Sequence, residues 1–415
     1  MNEEKLIPHL FRTEYRKIVA VLCKTFGLEH IETAEDIASD TFLQASETWG
    51  IKGLPENPAA WLYTVAKNKT KNYLKRNKVL ADKIIPQIKY DSSQTEESEI
   101  DLSETNIRDS QLQMMFAICH PSIAAEAQIA LALRILCGFG IDEIASAFLT
   151  NKETINKRLF RAKEKLRAEN ISIELPPPAE ISNRLDIVLR TLYLLYNEGY
   201  YTSQSENVLH KEFCYEAMRL TYLLIENELT NLPQVNALFA LMSFHASRFD
   251  ARVNENGDLV LYDEQDETRW DQQLIQQGIY FLQQASQGNQ LSKYHLEAGI
   301  AYWHTIKADT PKKWENILQL YNRLLQIEYS PIAALNRTYA LSKANGKAEA
   351  IAEAEKLQLS GNHLYHSLLG ELYTDVDNAK ALSHFRTAAG LARSTADKNI
   401  LVNKMRKFEN NATLP

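Results

Sequence analysis

The chain has 415 residues, too many for one ordinary core, so two or three domains are expected. Apolar residues make up 45%, with only 14 Gly and 12 Pro, which excludes a disordered or fibrous chain and predicts a mostly helical globular protein. The net charge of −7 excludes a uniformly basic nucleic-acid binder, so any such role must rest on local patches.

The opening residues MNEEKLIPHL are acidic and polar, which argues against a signal peptide. Cys23, Cys119, Cys137 and Cys214 show no CxxC spacing, so neither a metal site nor a disulfide framework is expected, and a reducing cytoplasm is. The first patterned element is Glu35 to Trp49. Ile37, Thr41, Phe42 and Ala45 mark an inner face, and Asp36, Asp40, Gln44 and Glu47 an outer, acidic one. An acidic helix adds nothing to DNA affinity. It suits a protein partner with a basic surface, or it is an ordinary amphipathic helix; periodicity does not separate the two.

Asn57-Pro58 is a helix start, and Trp61, Leu62, Val65 and Ala66 keep helical spacing behind it. One helix is expected from Pro58 to about Asn77. Its second half, Lys67 to Lys78, holds six cations and no acid, with amides and Tyr73 between them. Cations hold phosphates; amides and an aromatic ring can bond and stack on unpaired bases. The plainer alternative is a solvated helix end whose cations suit the dipole.

Asp91 to Asp109 carries seven acids and one Arg. Without it, residues 1–170 hold 22 Lys and Arg against 17 acids. Cys119-His120-Pro121 reads as a helix-ending turn. The most apolar run, Ile129 to Ile141, is short and contains Arg134, so it is expected to be a core helix and not a membrane span. Gly140 to Arg167 then reads as two helices around a tight turn. Ile144, Ala145 and Phe148 face inward from the first, Ile155 and Leu159 from the second. Thr150-Asn151 supply turn and cap chemistry. The second helix presents Lys157, Arg158, Arg161, Lys163, Lys165 and Arg167, a pattern suited to a DNA major groove with the rear of the helix on phosphates. A solvated basic helix is the bland alternative.

The order EDIASDTFLQA, NPAAWLYTVAKNKTKNYLKR, acidic linker and helix-turn-helix resembles a bacterial sigma-70-type factor of the extracytoplasmic-function class. The resemblance implies an all-α fold: region two over 6–80, an acidic linker over 81–107 and a helix-turn-helix region four over 108–168. It implies that Asp36, Asp40 and Gln44 meet the β′ clamp helices of core RNA polymerase and that the polymerase β flap is a further contact. Lys67, Asn68, Lys71, Asn72, Lys75 and Arg76 would act at the −10 element of promoter DNA, beside the loop Gly50–Pro58. Glu153, Thr154, Lys157, Arg158 and Arg161 would act at the −35 element. Lys stands at 67, 69 and 71 where the family often has Arg, which keeps attraction but loses the bidentate fork.

A minimal member of that class ends near Leu166; this chain continues. A Pro-rich linker over 169–184 is expected, with three prolines at 176–178, then a helical extension over 185–410. Leu335, Asn336 and Tyr339 recur as Leu369, Gly370 and Tyr373, 34 residues on, and Gly299 and Tyr302 resemble an earlier copy. Ala348 and Ala352 follow the first set; Ala381, Phe385 and Ala388 follow the second. This is a tetratricopeptide (TPR) pattern and period, against the alternative of a generic helical bundle. The stretches 193–203, 216–220, 240–252 and 257–270 resemble the sigma-factor subgroup with a large TPR-like C-terminal extension. Gly257 to Tyr262 reads as a short strand or extended excursion. Asp263, Glu264, Asp266 and Arg269 read as a buried polar bracket, and His245 as a core residue.

No nucleophile–base pair, phosphate loop or metal spacing supports an enzyme, and no cofactor or metal is expected. The expected function is a sigma factor that binds core RNA polymerase and directs promoter-specific initiation, with a regulatory protein at the extension as an open option and no membrane partner. The competing class is a one-component helix-turn-helix regulator or TPR scaffold, which has no use for a clamp helix or a strand-reading helix.

Overall fold

A computed structural model describes residues 3–84, 100–148, 150–200, 210–254, 260–392 and 395–411, and these are overwhelmingly helical. Its contacts divide the chain into two compact units, Met1–Leu195 and Tyr196–Pro415.

The first unit is built on α1 (Glu3–Phe26), against which α2 (Ile31–Lys52), α3 (Pro58–Ile84) and α4 (Glu104–Ile118) pack. Its middle, EYRKIVAVLC, is apolar on more than one side. Tyr15, Ile18, Val19, Leu22 and Cys23 are all fully buried, as a helix surrounded by others must be. Each such side chain contributes roughly 1.5–3 kcal/mol of burial. Gly27, at φ 89, ends α1, and its N–H donates to the Cys23 carbonyl. Only glycine takes that conformation without a Cβ penalty. The basic helix α3 runs to Ile84, two turns beyond the expected Asn77, because nothing in KVLADK breaks it.

Behind α4, α5 (Ala125–Leu131) passes into a π-turn, Ala132–Leu136, closed by Cys137 N–H on the Ala132 carbonyl at 3.0 Å. The apolar run Ile129 to Ile141 is thus not one helix. It stops at Leu136, and Gly138 at φ 76 turns the chain into α6 (Ile141–Ala147). Then α7 (Lys152–Ala168) follows, capped by Asn151 Oδ1, which accepts from Thr154 N–H at 2.8 Å. Ile144, Ala145, Ile155 and Leu159 are buried where α6 meets α7. Next, α8 (Pro178–Tyr200) begins on the third proline. Its early turns hold to this unit through Arg184, which donates to the Phe116 carbonyl at 2.7 Å, and Thr191, which donates to Gln128 at 2.9 Å. The division after Leu195 therefore falls inside a helix rather than at the prolines.

In the second unit, α9 (Lys211–Glu226), α11 (Gln272–Ala285) and α12 (Lys293–Trp303) surround α10 (Pro233–Ala246). The α10 sequence QVNALFALMSFHA is apolar all round, and only its ends escape burial. Beyond it, α13 (Pro311–Ile327), α14 (Pro331–Asn345), α15 (Lys347–Lys356), α16 (His363–Tyr373), α17 (Asn378–Leu391) and α18 (Thr395–Asn411) each pack on the next. Leu335, Leu369 and Tyr373 lie in one core with Ala381, Phe385 and Ala388. A Cβ on Gly370 would sit 2.6 Å from the Phe385 ring, so glycine lets α16 and α17 touch. Ala348 and Ala352 are exposed, contrary to their expected place in the repeat. Ala350 and Ala354 are the buried pair. Asp263, Glu264, Asp266 and Arg269 are also exposed, so they form no buried bracket, although Asp266 does cap, accepting from Thr268 N–H at 2.9 Å. Residues 257–259 of the expected strand lie outside the described residues; Val260 N–H donates to the Arg252 carbonyl at 2.8 Å.

Candidate nucleic-acid interface

Three helix faces of the first unit carry the residues singled out in the sequence. On α2, Asp36, Asp40 and Gln44 are exposed, while Ile37, Thr41, Phe42 and Ala45 are buried. The face is less purely acidic than its charges imply. Leu43 stands 59% exposed among them, an apolar side chain that periodicity alone would flag as misplaced. Ile51, 87% exposed at the end of α2, and Leu54 in the turn before α3 are further exposed apolar side chains. Asp40 lies 3.9 Å from Lys69 of α3.

On α3, Asn68, Lys71, Asn72, Lys75 and Arg76 are exposed and spaced to share one face. Lys67 is half-buried at its edge. Tyr63 anchors the opposite side, its hydroxyl donating to Glu14 at 2.5 Å, while the buried Thr70 hydroxyl is satisfied within α3 by the Ala66 carbonyl at 2.8 Å. Burial and the Glu14 carboxylate push the Tyr63 phenol far up, so it stays a donor. Trp61 meets the buried Trp49 edge-on at 5.3 Å and fixes the start of the helix on α2. Asp101, held below the usual carboxylate range first by hydrogen bonds from Ser103, also lies in the field of Lys67 and Lys24. Most of the acidic stretch before α4, 85–99, lies outside the described residues.

On α7, Thr154, Lys157, Arg158, Arg161 and Lys165 line one side of a groove of about 470 Å³, whose other side is Ser122, Ile123, Ala124 and Ala127. Four of these cations thus do converge on one concave surface. They are not equally available. Arg158 is bound to Glu126 at 2.8 Å and stacks 5.3 Å from the Phe148 ring. Glu153 is paired with Lys157 at 2.6 Å. Arg161 is exposed, as is Phe160 at 62%, which sequence reasoning passed over because an aromatic among cations reads as core.

The rear of α7 departs from expectation. Lys163 and Arg167 face protein, not open solvent. Glu35 of α2 is buried and accepts from Lys163 and, at 3.1 Å, from Arg134 Nε. Arg167 pairs with Glu32 and donates to the Glu29 carbonyl at 3.1 Å. Arg12 of α1 reaches Glu143 of α6 at 2.7 Å. A charged seam therefore joins α1 and α2 to the π-turn, α6 and α7. Glu35 was legible as a helix residue but not as its centre, because its partners stand 99 and 128 residues away.

No described helix is long and apolar enough to cross a membrane. Residues 10–79 match the sigma-70 region 2 family, and residues 184–286 match a family of unknown function, DUF6596. An uncharacterized protein of Rhizobium meliloti (strain 1021) is 32% identical over 375 residues, covering 89% of this chain and 88% of that protein. No solved structure matches the chain. The region 2 match spans both the exposed acidic face of α2 and the basic face of α3. The chain belongs to the same family as the R. meliloti protein, and its N-terminal part carries the sigma-70 region 2 match, which supports a sigma-factor-like role in transcription initiation.

Proposed function

We propose that the chain is an initiation factor of the extracytoplasmic-function class, which binds core RNA polymerase in the cytoplasm and directs it to promoters. The observation that carries this reading is the pairing of two unlike faces within residues 10–79. One, on α2, is acidic with Leu43 exposed, and suits a basic protein surface such as the β′ clamp helices. The other, on α3, is basic and amide-rich, and suits DNA. A regulator that acts without polymerase has no use for the first.

Each part then has a role. Asp36, Asp40 and Gln44 hold polymerase. Asn68 and Asn72 read bases of the separated −10 strand, while Lys67, Lys71, Lys75 and Arg76 hold its phosphates. The α6–α7 pair is the helix-turn-helix of region four, with the β flap as its polymerase contact. Arg161 and Thr154, which line the groove, read the −35 major groove, and Lys157 and Lys165 hold phosphates. Arg158 reaches a base only after leaving Glu126. The chemistry is the polymerase's; this chain supplies recognition and strand opening. The successive packing of α12 to α18, with Gly370 against Phe385, supports a TPR-like extension, a surface suited to a protein partner.

In vitro transcription with core RNA polymerase on a promoter library tests the reading. Specific transcripts sharing −35 and −10 sequences are expected. DNA binding with no transcript in the presence of core enzyme would overturn it in favour of a stand-alone regulator.

A further inference from the structure

The turn after α10 carries a guanidinium that meets no carboxylate among the described residues. Arg248 is only 8% exposed. Its Nη2 donates to the Tyr200 hydroxyl at 3.5 Å, and its Cζ lies 5.6 Å from the Tyr262 ring centre. Among the described residues its Nε–H has no acceptor. Three further buried ring nitrogens are also without partners: His245 Nδ1, Trp270 Nε1 and His304 Nδ1. Stacked and edge-on rings tie these groups into one cluster. His304 meets Tyr262 edge-on at 5.1 Å, Trp270 stacks on it at 6.2 Å, and His245 meets Tyr200 at 4.7 Å.

The other cations here are engaged. Lys313 donates to the Tyr262 hydroxyl at 3.1 Å and to the Ile306 carbonyl at 2.5 Å. Lys307 caps the carbonyls of Tyr262, Asp263 and Gln265. Asp309 is bound by Lys343 at 2.7 Å and by the Trp314 indole. Burial, then Arg248 and Arg252, push His245 well below its ordinary range. Burial, then Arg248 and Lys313, bring His304 down to about 3. Both rings are therefore neutral at pH 7, and the field they sit in is positive. An ion buried without a partner is costly, and its usual remedy is a counter-ion.

We propose that this cluster binds the oxyanion group of a small molecule, a carboxylate or a phosphate, seated on the Nε edge of Arg248 with Trp270 Nε1 as a second donor and the Tyr262 ring as a wall. The Nε–Nη2 edge of a guanidinium is the one that takes an oxyanion through two parallel bonds, and here that edge carries only the long Tyr200 contact. Tyr262 and His304 are half-buried, so the cluster reaches the surface. Gln265 Oε1, a buried acceptor without a partner in the same stretch, suits a hydroxyl on such a molecule.

The test is titration of the full chain with sodium benzoate and, separately, inorganic phosphate at constant ionic strength. Tryptophan fluorescence and melting temperature are followed together. A saturable change with at least one anion is expected, with a rise in melting temperature. The anion that saturates identifies the group. R248Q should bind at least tenfold more weakly, and so should R248K, which keeps the charge and loses the fork. No saturable response from wild type to either anion overturns the site, whatever the variants do. So does an unchanged affinity in folded R248Q.

Discussion

Replacing Glu35 by Gln removes the charge at the centre of the seam while keeping its shape. Its carboxylate accepts from Arg134 and Lys163, whose side chains are 20% and 11% exposed. Deleting one partner of such a buried pair costs about 3–5 kcal/mol, mostly as the penalty of the stranded charges. Two compensations remain in place. Arg134 keeps the Phe139 carbonyl at 3.2 Å and the Tyr15 ring at 5.7 Å, and Lys163 keeps Glu32 at 3.9 Å. A net loss of about 2–3 kcal/mol is therefore expected, or roughly 4–12 °C in the first unit's melting transition. Hydrogen exchange should locate the change, with faster exchange in the first turns of α2 and the last turns of α7. The double variant E35Q/K163M should recover part of the loss, because it removes a stranded cation as well. A folded E35Q within about 0.5 kcal/mol of wild type, with unchanged exchange in both helices, would refute the idea that Glu35 holds the seam.

The remaining predictions concern each unit in turn. Asp36→Lys with Asp40→Lys should abolish binding to core RNA polymerase while leaving melting within about 0.5 kcal/mol, since both side chains are exposed; unchanged capture by core enzyme sinks the clamp assignment. Asn68→Ala and Asn72→Ala should slow open-complex formation on duplex and pre-melted templates alike, whereas Lys71→Ala should be partly rescued by pre-melting; potassium permanganate footprints distinguish the two. Gly370→Ala drives a methyl into Phe385 and should cost about 1–3 kcal/mol in urea unfolding, with no loss meaning that α16 and α17 slide apart freely. His304 has a folded pKa of about 3, below its unfolded value, so the unfolded chain binds more protons on acidification. The stability it contributes is whole above about pH 6.5 and lost progressively toward pH 3, up to about 4–5 kcal/mol. His304→Asn should flatten the fall in urea midpoint between pH 7 and 5, and an equal fall in both proteins counts against it.

Much of the candidate interface was legible because it lies on single helices. Asp36, Asp40 and Gln44, or Asn68, Lys71 and Asn72, need only a 3.6-residue period to be placed on one face. The cap at Asn151 was equally local. What escaped was set by distance along the chain or by degeneracy within it. Lys163 looks like any exposed cation until Glu35 arrives from 128 residues away. In α15, KAEAIAEAEK, alternating alanines offer two equivalent rows, and packing chose Ala350 and Ala354 over Ala348 and Ala352. The π-turn at Ala132–Leu136 has no composition of its own, since ALRIL would serve in any helix. Arg248 and His304 meet through the Tyr262 ring, which no local pattern records.

The charged seam also bears on how far this protein can reach along DNA. The elements at −10 and −35 lie about 25 base pairs apart, roughly 85 Å at 3.4 Å per pair. A compact body of 195 residues has a radius of gyration near 16 Å and so a diameter of roughly 40 Å. With Glu32 and Glu35 clasping Arg167 and Lys163, α3 and α7 belong to one such body and span at most half that interval. The 19 residues between Ile84 and Glu104 cover up to ~65 Å when fully extended, enough to close the gap once the clasp and the packing of α4 on α1 both open. Under the proposed function, the protein reads both elements only in an opened form. Polymerase then sees an affinity scaled by the fraction of molecules already open. Every kcal/mol invested in the clasp is drawn from that affinity, which makes the seam a setting for how readily the factor competes for polymerase.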